Sequence, residues 1–184
     1  MRTHTSHPLR FIAFCLFTFF LLTSCGSSSR RFRLEGQFKN LNQGEFILYN
    51  LDLGIKDTIA VRDGRFVLDR PMADTVTFVM LFPNFSELPI FVCPGAEIEM
   101  EGDVTHLRET TIKGTDDNEA MTAFRIKTNE MTPPDVQKQA QQFIKEHPTS
   151  PVSNYLLRRH FIQCPEPDYP LALKLCADLH KAQP

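Results

Sequence analysis

From Phe32 to about Lys113, apolar residues recur at alternate positions between turn residues, the pattern of consecutive antiparallel strands that each lay one face on a core. Phe32-Arg33-Leu34-Glu35-Gly36-Gln37-Phe38 alternates cleanly. Asn42-Gln43-Gly44 turns the chain, Glu45 to Asn50 reads as a strand rich in Phe, Ile, Leu and Tyr, and Lys56 to Val61 reads as the next. Asp63-Gly64, flanked by Thr58 to Val61 and Arg65 to Leu68, is the strongest hairpin signal, because a two-residue turn needs positive φ and Gly adopts it without steric cost. Asp74 to Phe82, Glu87 to Val92, Glu97 to Glu101 and Thr110 to Lys113 complete about eight strands. Few residues separate them, which predicts meander or Greek-key connections in a sandwich in preference to parallel crossovers.

The period changes at Gly114-Thr115. Thr115 reads as an N-cap, with Asp116 and Asp117 in a first turn where carboxylates favour the helix dipole, and Met121 and Phe124 share a face beyond them, up to about Glu130. Thr132-Pro133 restarts a helix, in which Val136, Ala140, Phe143 and Ile144 recur at helical spacing until Pro148. Ser150-Pro151 repeats the device ahead of Val152, Tyr155 and Leu156, and Tyr169-Pro170 does so ahead of Leu171, Leu175 and Leu179. The predicted class is α+β: an antiparallel β-sandwich of about eight strands over residues 32–114, then a small four-helix region over 115–184, arranged as two antiparallel helix pairs.

The N-terminus has a different character. Arg2 and Arg10 precede an apolar run from Phe11 to Leu22, which has the length of a signal-peptide core and is too short for a membrane span. The run ends in Leu22-Thr23-Ser24-Cys25, which resembles the lipobox cut by the lipoprotein signal peptidase. Residues 1–24 are therefore expected to be a cleaved signal peptide, and Cys25 the lipid-bearing first residue of the mature chain, with the membrane as a partner through that lipid. Residues 25–31, through Gly26-Ser27-Ser28-Ser29, then form a flexible tether. Similarity to lipoproteins with no aspartate just after the cysteine implies the outer membrane, facing the periplasm.

Removal of residues 1–24 takes two arginines and no acid, leaving 18 basic against 22 acidic side chains and a formal charge of -4. Mild acidity argues against nucleic acid as a partner. Cys93, Cys164 and Cys176 remain besides Cys25 in a compartment that permits disulfides, and either a Cys164–Cys176 bridge or buried thiols fit that number.

Candidate chemistry is sparse. With no Cys-x-x-Cys, the two-thiol exchange of a thioredoxin site has no residues to run on. Cys93 precedes Pro94-Gly95 with no adjacent cation to activate it as a nucleophile. His106, His147, His160 and His180 stand far apart, without the i, i+3 or i, i+4 partner of a metal pair. Glu97, Glu99 and Glu101 share one strand face opposite Ile98 and Met100, which reads as a solvated face, since a calcium site needs oxygens converging from several directions. No Gly-x-Ser-x-Gly, phosphate loop or dinucleotide fingerprint occurs. The chain is expected to be no enzyme, with no catalytic residue, no metal and no cofactor.

Gly36, Leu41 and Gly44, Phe46-Ile47-Leu48, Asp57-Thr58, Asp63-Gly64-Arg65-Phe66, Pro94-Gly95 with Ile98 and Gly102-Asp103, and Ile112-Lys113-Gly114-Thr115 with Asn118 together resemble a known domain. It is the β-domain of unknown function at the N-terminus of many TlpA-like, AhpC/TSA-type thioredoxin-fold lipoproteins of Gram-negative bacteria. Phe143 to Leu157, with His147-Pro148 and Ser150, resembles the helical segment that joins this domain to the thioredoxin fold. The resemblance implies a periplasmic thioredoxin-like protein as partner. The sequence has no Trp and no Trp-Cys-x-x-Cys motif, so no redox residue carries over. Two readings follow: a stand-alone accessory module, or a shortened or split thiol-disulfide oxidoreductase.

Overall fold

The computed structural model describes residues 30–182; the expected signal peptide, Cys25 and most of the tether lie outside the described residues. Eight strands come first: β1 Arg31–Lys39, β2 Gln43–Asn50, β3 Ile55–Arg62, β4 Arg65–Pro71, β5 Val76–Leu81, β6 Glu87–Val92, β7 Glu97–Asp103 and β8 Thr111–Lys113. Four helices follow: α1 Asp116–Thr128, α2 Pro133–Glu146, α3 Pro151–Leu157 and α4 Tyr169–Ala182. The class is α+β, with the strands before the helices.

The strands join in the order β6-β5-β2-β3-β4-β1-β7-β8. Among the described residues the two four-stranded halves share one strand-ladder pair, Arg62 with Arg65 at the Asp63-Gly64 turn, whose residues take φ of 50° and 72° as the hairpin signal requires. Beyond that turn β3 and β4 part, and their half-buried side chains Asp57 and Arg70 form an ion pair where the backbone ladder has lapsed. The halves curl over one core. Phe32 of β1 and Phe78 of β5 are four places apart in the sheet, about 19 Å if it were flat, yet their rings are 5.8 Å apart. Phe46 sits at the centre of this core, 5.3, 5.7 and 4.7 Å from Phe38, Phe66 and Phe82.

One connection departs from the all-antiparallel expectation. β1 runs antiparallel to β4 but parallel to β7, from Arg33 opposite Glu97 to Lys39 opposite Asp103. The chain leaves β1, lays down β2 and β3, adds β4 to one flank of β1, extends the far half with β5 and β6, and returns as β7 on the other flank of β1, so β7 and β8 take a direction that the short connections did not reveal.

Closure falls to α1. The sheet's two edge strands are β6 and β8, and α1 lies against both. Asn118 of α1 accepts from Phe91 N at 2.9 Å and donates to Phe91 O at 2.8 Å, so its amide replaces the peptide group of a missing neighbouring strand. One turn on, Thr122 Oγ1 accepts from Ile112 N at 3.1 Å and donates to Ile112 O at 3.3 Å on the other edge. Arg125 then donates to the carbonyls of Arg108 and Thr110 at 2.9 and 2.7 Å. Unpaired edge strands invite association with other chains, and one helix covers part of both edges here. The entry to α1 is tight. Gly114 has φ 99°, and a Cβ there would collide with the Glu97 carbonyl. Thr115 caps the helix by accepting from Asn118 N at 3.2 Å.

The helices bury a second cluster comprising Met121, Phe124, Ala140, Ile144, Val152, Leu156, Phe161, Leu175 and Leu179, joined by Phe91 from β6. Phe143, on the expected apolar stripe, is only half-buried at its margin, beside Phe124 at 6.2 Å and His147 at 4.6 Å. The helices do not form two separate pairs: α3 touches α1, α2 and α4. Ser150 at the start of α3 donates to Asp117 of α1 at 2.6 Å and accepts from Val152 N, joining two helix N-termini.

Candidate functional site

The outer face of the sheet over β2 and β5 is only partly covered. Ile47, Tyr49, Val79 and Leu81 on this face are half-buried, and the helical region stands over part of it. Between them runs a cleft of about 540 Å³, walled by Tyr49, Val79 and Glu87 from the sheet and by Asn154, Tyr155 and Arg158 from the helices. α3 places its side of the wall and then widens: Gln163 N donates to Arg158 O at 2.8 Å, a π-type bond that closes the Arg158–Ile162 turn. Such widened turns occur frequently at functional sites. This one sets Arg158 and Arg159 side by side on the cleft.

Tyr49 Oη donates to Glu87 Oε1 at 2.7 Å, and burial, reinforced by this bond and by the Glu87 charge, pushes the phenol up to about 12. Tyr155 is also raised, chiefly by burial, with the Arg159 charge opposing. Both phenols therefore stay protonated at neutral pH and act as hydrogen-bonding groups, not as bases. Arg158 Nη1 lies 3.5 Å from Asp52 Oδ2, tying the helical wall to the β2–β3 turn, whereas Arg159 makes no salt bridge among the described residues. The lining offers two phenols, the amides of Asn50, Asn154 and Gln163, the carboxylates of Asp52 and Glu87, two threonine hydroxyls and two guanidiniums, a set suited to recognition by hydrogen bonding and charge.

The residues weighed from sequence lie elsewhere. Glu97, Glu99 and Glu101 point to solvent while Ile98 and Met100 are buried, as the alternation required. Cys93 is half-buried against the sheet core, Cys164 donates to Glu166 O at 3.3 Å, and Cys176 is exposed; all three are unpaired, so the alternative of a Cys164–Cys176 bridge is not adopted. Among the described residues no group of three or more His, Cys, Asp or Glu side chains is placed to hold a metal, and no helix is long and apolar enough to cross a membrane. Cys25 lies outside the described residues.

The sequence reading did not single out the cleft, although one signal for it was present. Phe46-Ile47-Leu48-Tyr49 and Val76-Thr77-Phe78-Val79-Met80-Leu81 lack clean alternation, which is what strands covered on both faces look like. Asn118, by contrast, had already entered through the resemblance, and its two bonds to β6 give it a physical role.

Residues 32–121 match the family Domain of unknown function (DUF4369). The matched segment runs past β8 into α1, through Asn118, and so includes the contact by which the helix covers the β6 edge. No curated protein and no solved structure shows a significant match to the chain.

A pH dependence arises where the helices meet. His160, half-buried 6.1 Å from the Phe124 ring, has its pKa lowered from 6.5, first by burial and second by the Arg159 charge. In the unfolded chain it binds a proton more readily, so stability is fully present above 6.5 and declines as pH falls from there through the lower folded pKa. The melting temperature of the parent is expected to fall relative to that of His160→Gln as the pH is lowered across this window, because the variant lacks this protonation penalty. A constant gap would remove His160 from the pH response.

Proposed function

We propose that the chain is a membrane-tethered, non-catalytic binding module of the bacterial envelope. In this reading residues 1–24 are a signal peptide, Cys25 carries the lipid in the outer membrane, and the folded domain faces the periplasm. The cleft between the β2–β5 face and the α3 turn is its recognition surface. The observation that carries the reading is the composition of that cleft: phenols held in their protonated form, one of them bonded to Glu87, together with Asn154 and an arginine that has no salt-bridge partner among the described residues. The partner favoured by the resemblance is a periplasmic thioredoxin-like protein.

The competing reading, a shortened or split thiol-disulfide oxidoreductase, rests on the same resemblance. Insulin turbidity separates the two. Purified protein spanning residues 25–184 without lipid is expected to leave the rate of insulin reduction by dithiothreitol unchanged, since its three described thiols are unpaired and no Cys-x-x-Cys exists. Acceleration above the dithiothreitol rate would overturn the non-catalytic reading.

A further inference from the structure

Leu51 and Leu53 are 76% and 55% exposed in the turn joining β2 to β3. Single exposed leucines are ordinary. These two share one tip, and the sheet register fixes which end of the fold the tip occupies. Asn50 pairs with Ile55 at the base of the turn, Asp57 of β3 meets Arg70 of β4, and Pro71 pairs with Arg31, so the tip and the start of β1 lie at the same end. Arg30, whose carbonyl accepts from Met72 N at 2.7 Å, marks that end. In the sequence Cys25 stands only five residues before Arg30, a stretch that spans at most about 18 Å.

A lipid on Cys25 therefore holds this end of the sheet near the bilayer. The opposite end carries the Asp63-Gly64 turn and Phe85, which is 84% exposed at the β5–β6 turn. The length of β1, nine residues or about 30 Å, separates the two ends. The only carboxylate within Leu51-Asp52-Leu53-Gly54, which by itself would resist entry into a headgroup layer, has Arg158 as its ion-pair partner.

We propose that the β2–β3 turn is a second membrane contact: Leu51 and Leu53 enter the headgroup–acyl boundary of the leaflet carrying the Cys25 lipid. This rests on the lipoprotein reading and adds an orientation to it. Both leucines also line the cleft, so the contact places one end of the cleft at the membrane surface. An acyl anchor and a nearby apolar tip act together because the anchor removes most of the entropic cost of bringing the tip to the surface.

The chain contains no Trp, which makes a single introduced Trp a clean reporter. Leu53→Trp and, at the far end, Phe85→Trp are made in the full chain, purified with the lipid attached, and reconstituted into phosphatidylethanolamine–phosphatidylglycerol vesicles with or without brominated acyl chains. Brominated lipid is expected to quench Leu53→Trp at least roughly two-fold more strongly than Phe85→Trp, and adding Leu51→Glu to Leu53→Trp is expected to remove most of that excess. Equal quenching of the two reporters, with equal access to acrylamide from the water, overturns the second contact and leaves the anchor standing. A mass spectrum showing no acyl modification at Cys25 overturns the anchor and the second contact together.

Discussion

Asn118→Leu is expected to lower stability by about 3 to 5 kcal/mol, because it keeps the volume of the side chain and strands two buried backbone groups at once, each costing roughly 1 to 3 kcal/mol. Phe91 N and Phe91 O have the Asn118 amide as their partner on the open side of β6, and both bonds are buried. Urea unfolding monitored by circular dichroism measures the loss, and amide exchange at Phe91 reports whether it is local. Thr122→Val makes the same kind of change on the β8 edge, where one bond reaches 3.3 Å, and is expected to cost less. If Asn118→Leu unfolds at the parental urea concentration, the β6 edge does not depend on the helix for its hydrogen bonds.

Phe46→Ala is the second large effect, about 3 to 5 kcal/mol, the usual cost of deleting a fully buried ring. The ring is fully buried and stands against those of Phe38, Phe66 and Phe82, so its loss opens a void that neighbours on both halves of the sheet line. Calorimetric melting should show a large drop in Tm together with binding of an apolar dye, as the two halves lose their common centre. Phe143, at the margin of the helical cluster, lies outside this class because solvent already reaches part of its ring. A Phe46→Ala melt matching the parent would mean the halves close without that ring.

Both substitutions show where the sequence was informative. The strands and helices were legible because their signals are local. Phe32 to Phe38 alternates, Asp63-Gly64 supplies the required positive φ, and Thr115 and Ser150 both accept a first-turn amide as N-caps. The parallel pairing of β1 with β7 was not legible, since it depends on where the chain returns after residue 96 and no nearby residue encodes that. Thr132 illustrates a smaller departure: its hydroxyl donates to Asp135 at 2.6 Å instead of accepting from a backbone amide, a choice between a local acceptor and a local donor that spacing does not decide.

The cleft shows the same limit at the level of function. Tyr49 and Tyr155 are 106 positions apart and become neighbours only when α3 settles over the outer face of β2. Loss of alternation in β2 and β5 announced that something covers this face, but not which residues would do so. Arg158 and Arg159 look like an ordinary charged pair at the end of a helix until the widened turn places them on the same wall.

The position of β1 also determines how the domain bears mechanical load. A force entering at Arg30 runs along β1, which is bonded to β4 on one flank and to β7 on the other, with seven residue pairs on each side. Such a pull loads both ladders lengthwise, so their bonds share the force instead of opening one after another as they would in a strand peeled from an edge. To leave, β1 must slide past both neighbours and draw Phe32, Leu34 and Phe38 out of the core in the same movement. The first strand of the sheet is therefore among the hardest to extract, and under the proposed anchor at Cys25 a pull reaches the domain as a displacement of the whole body.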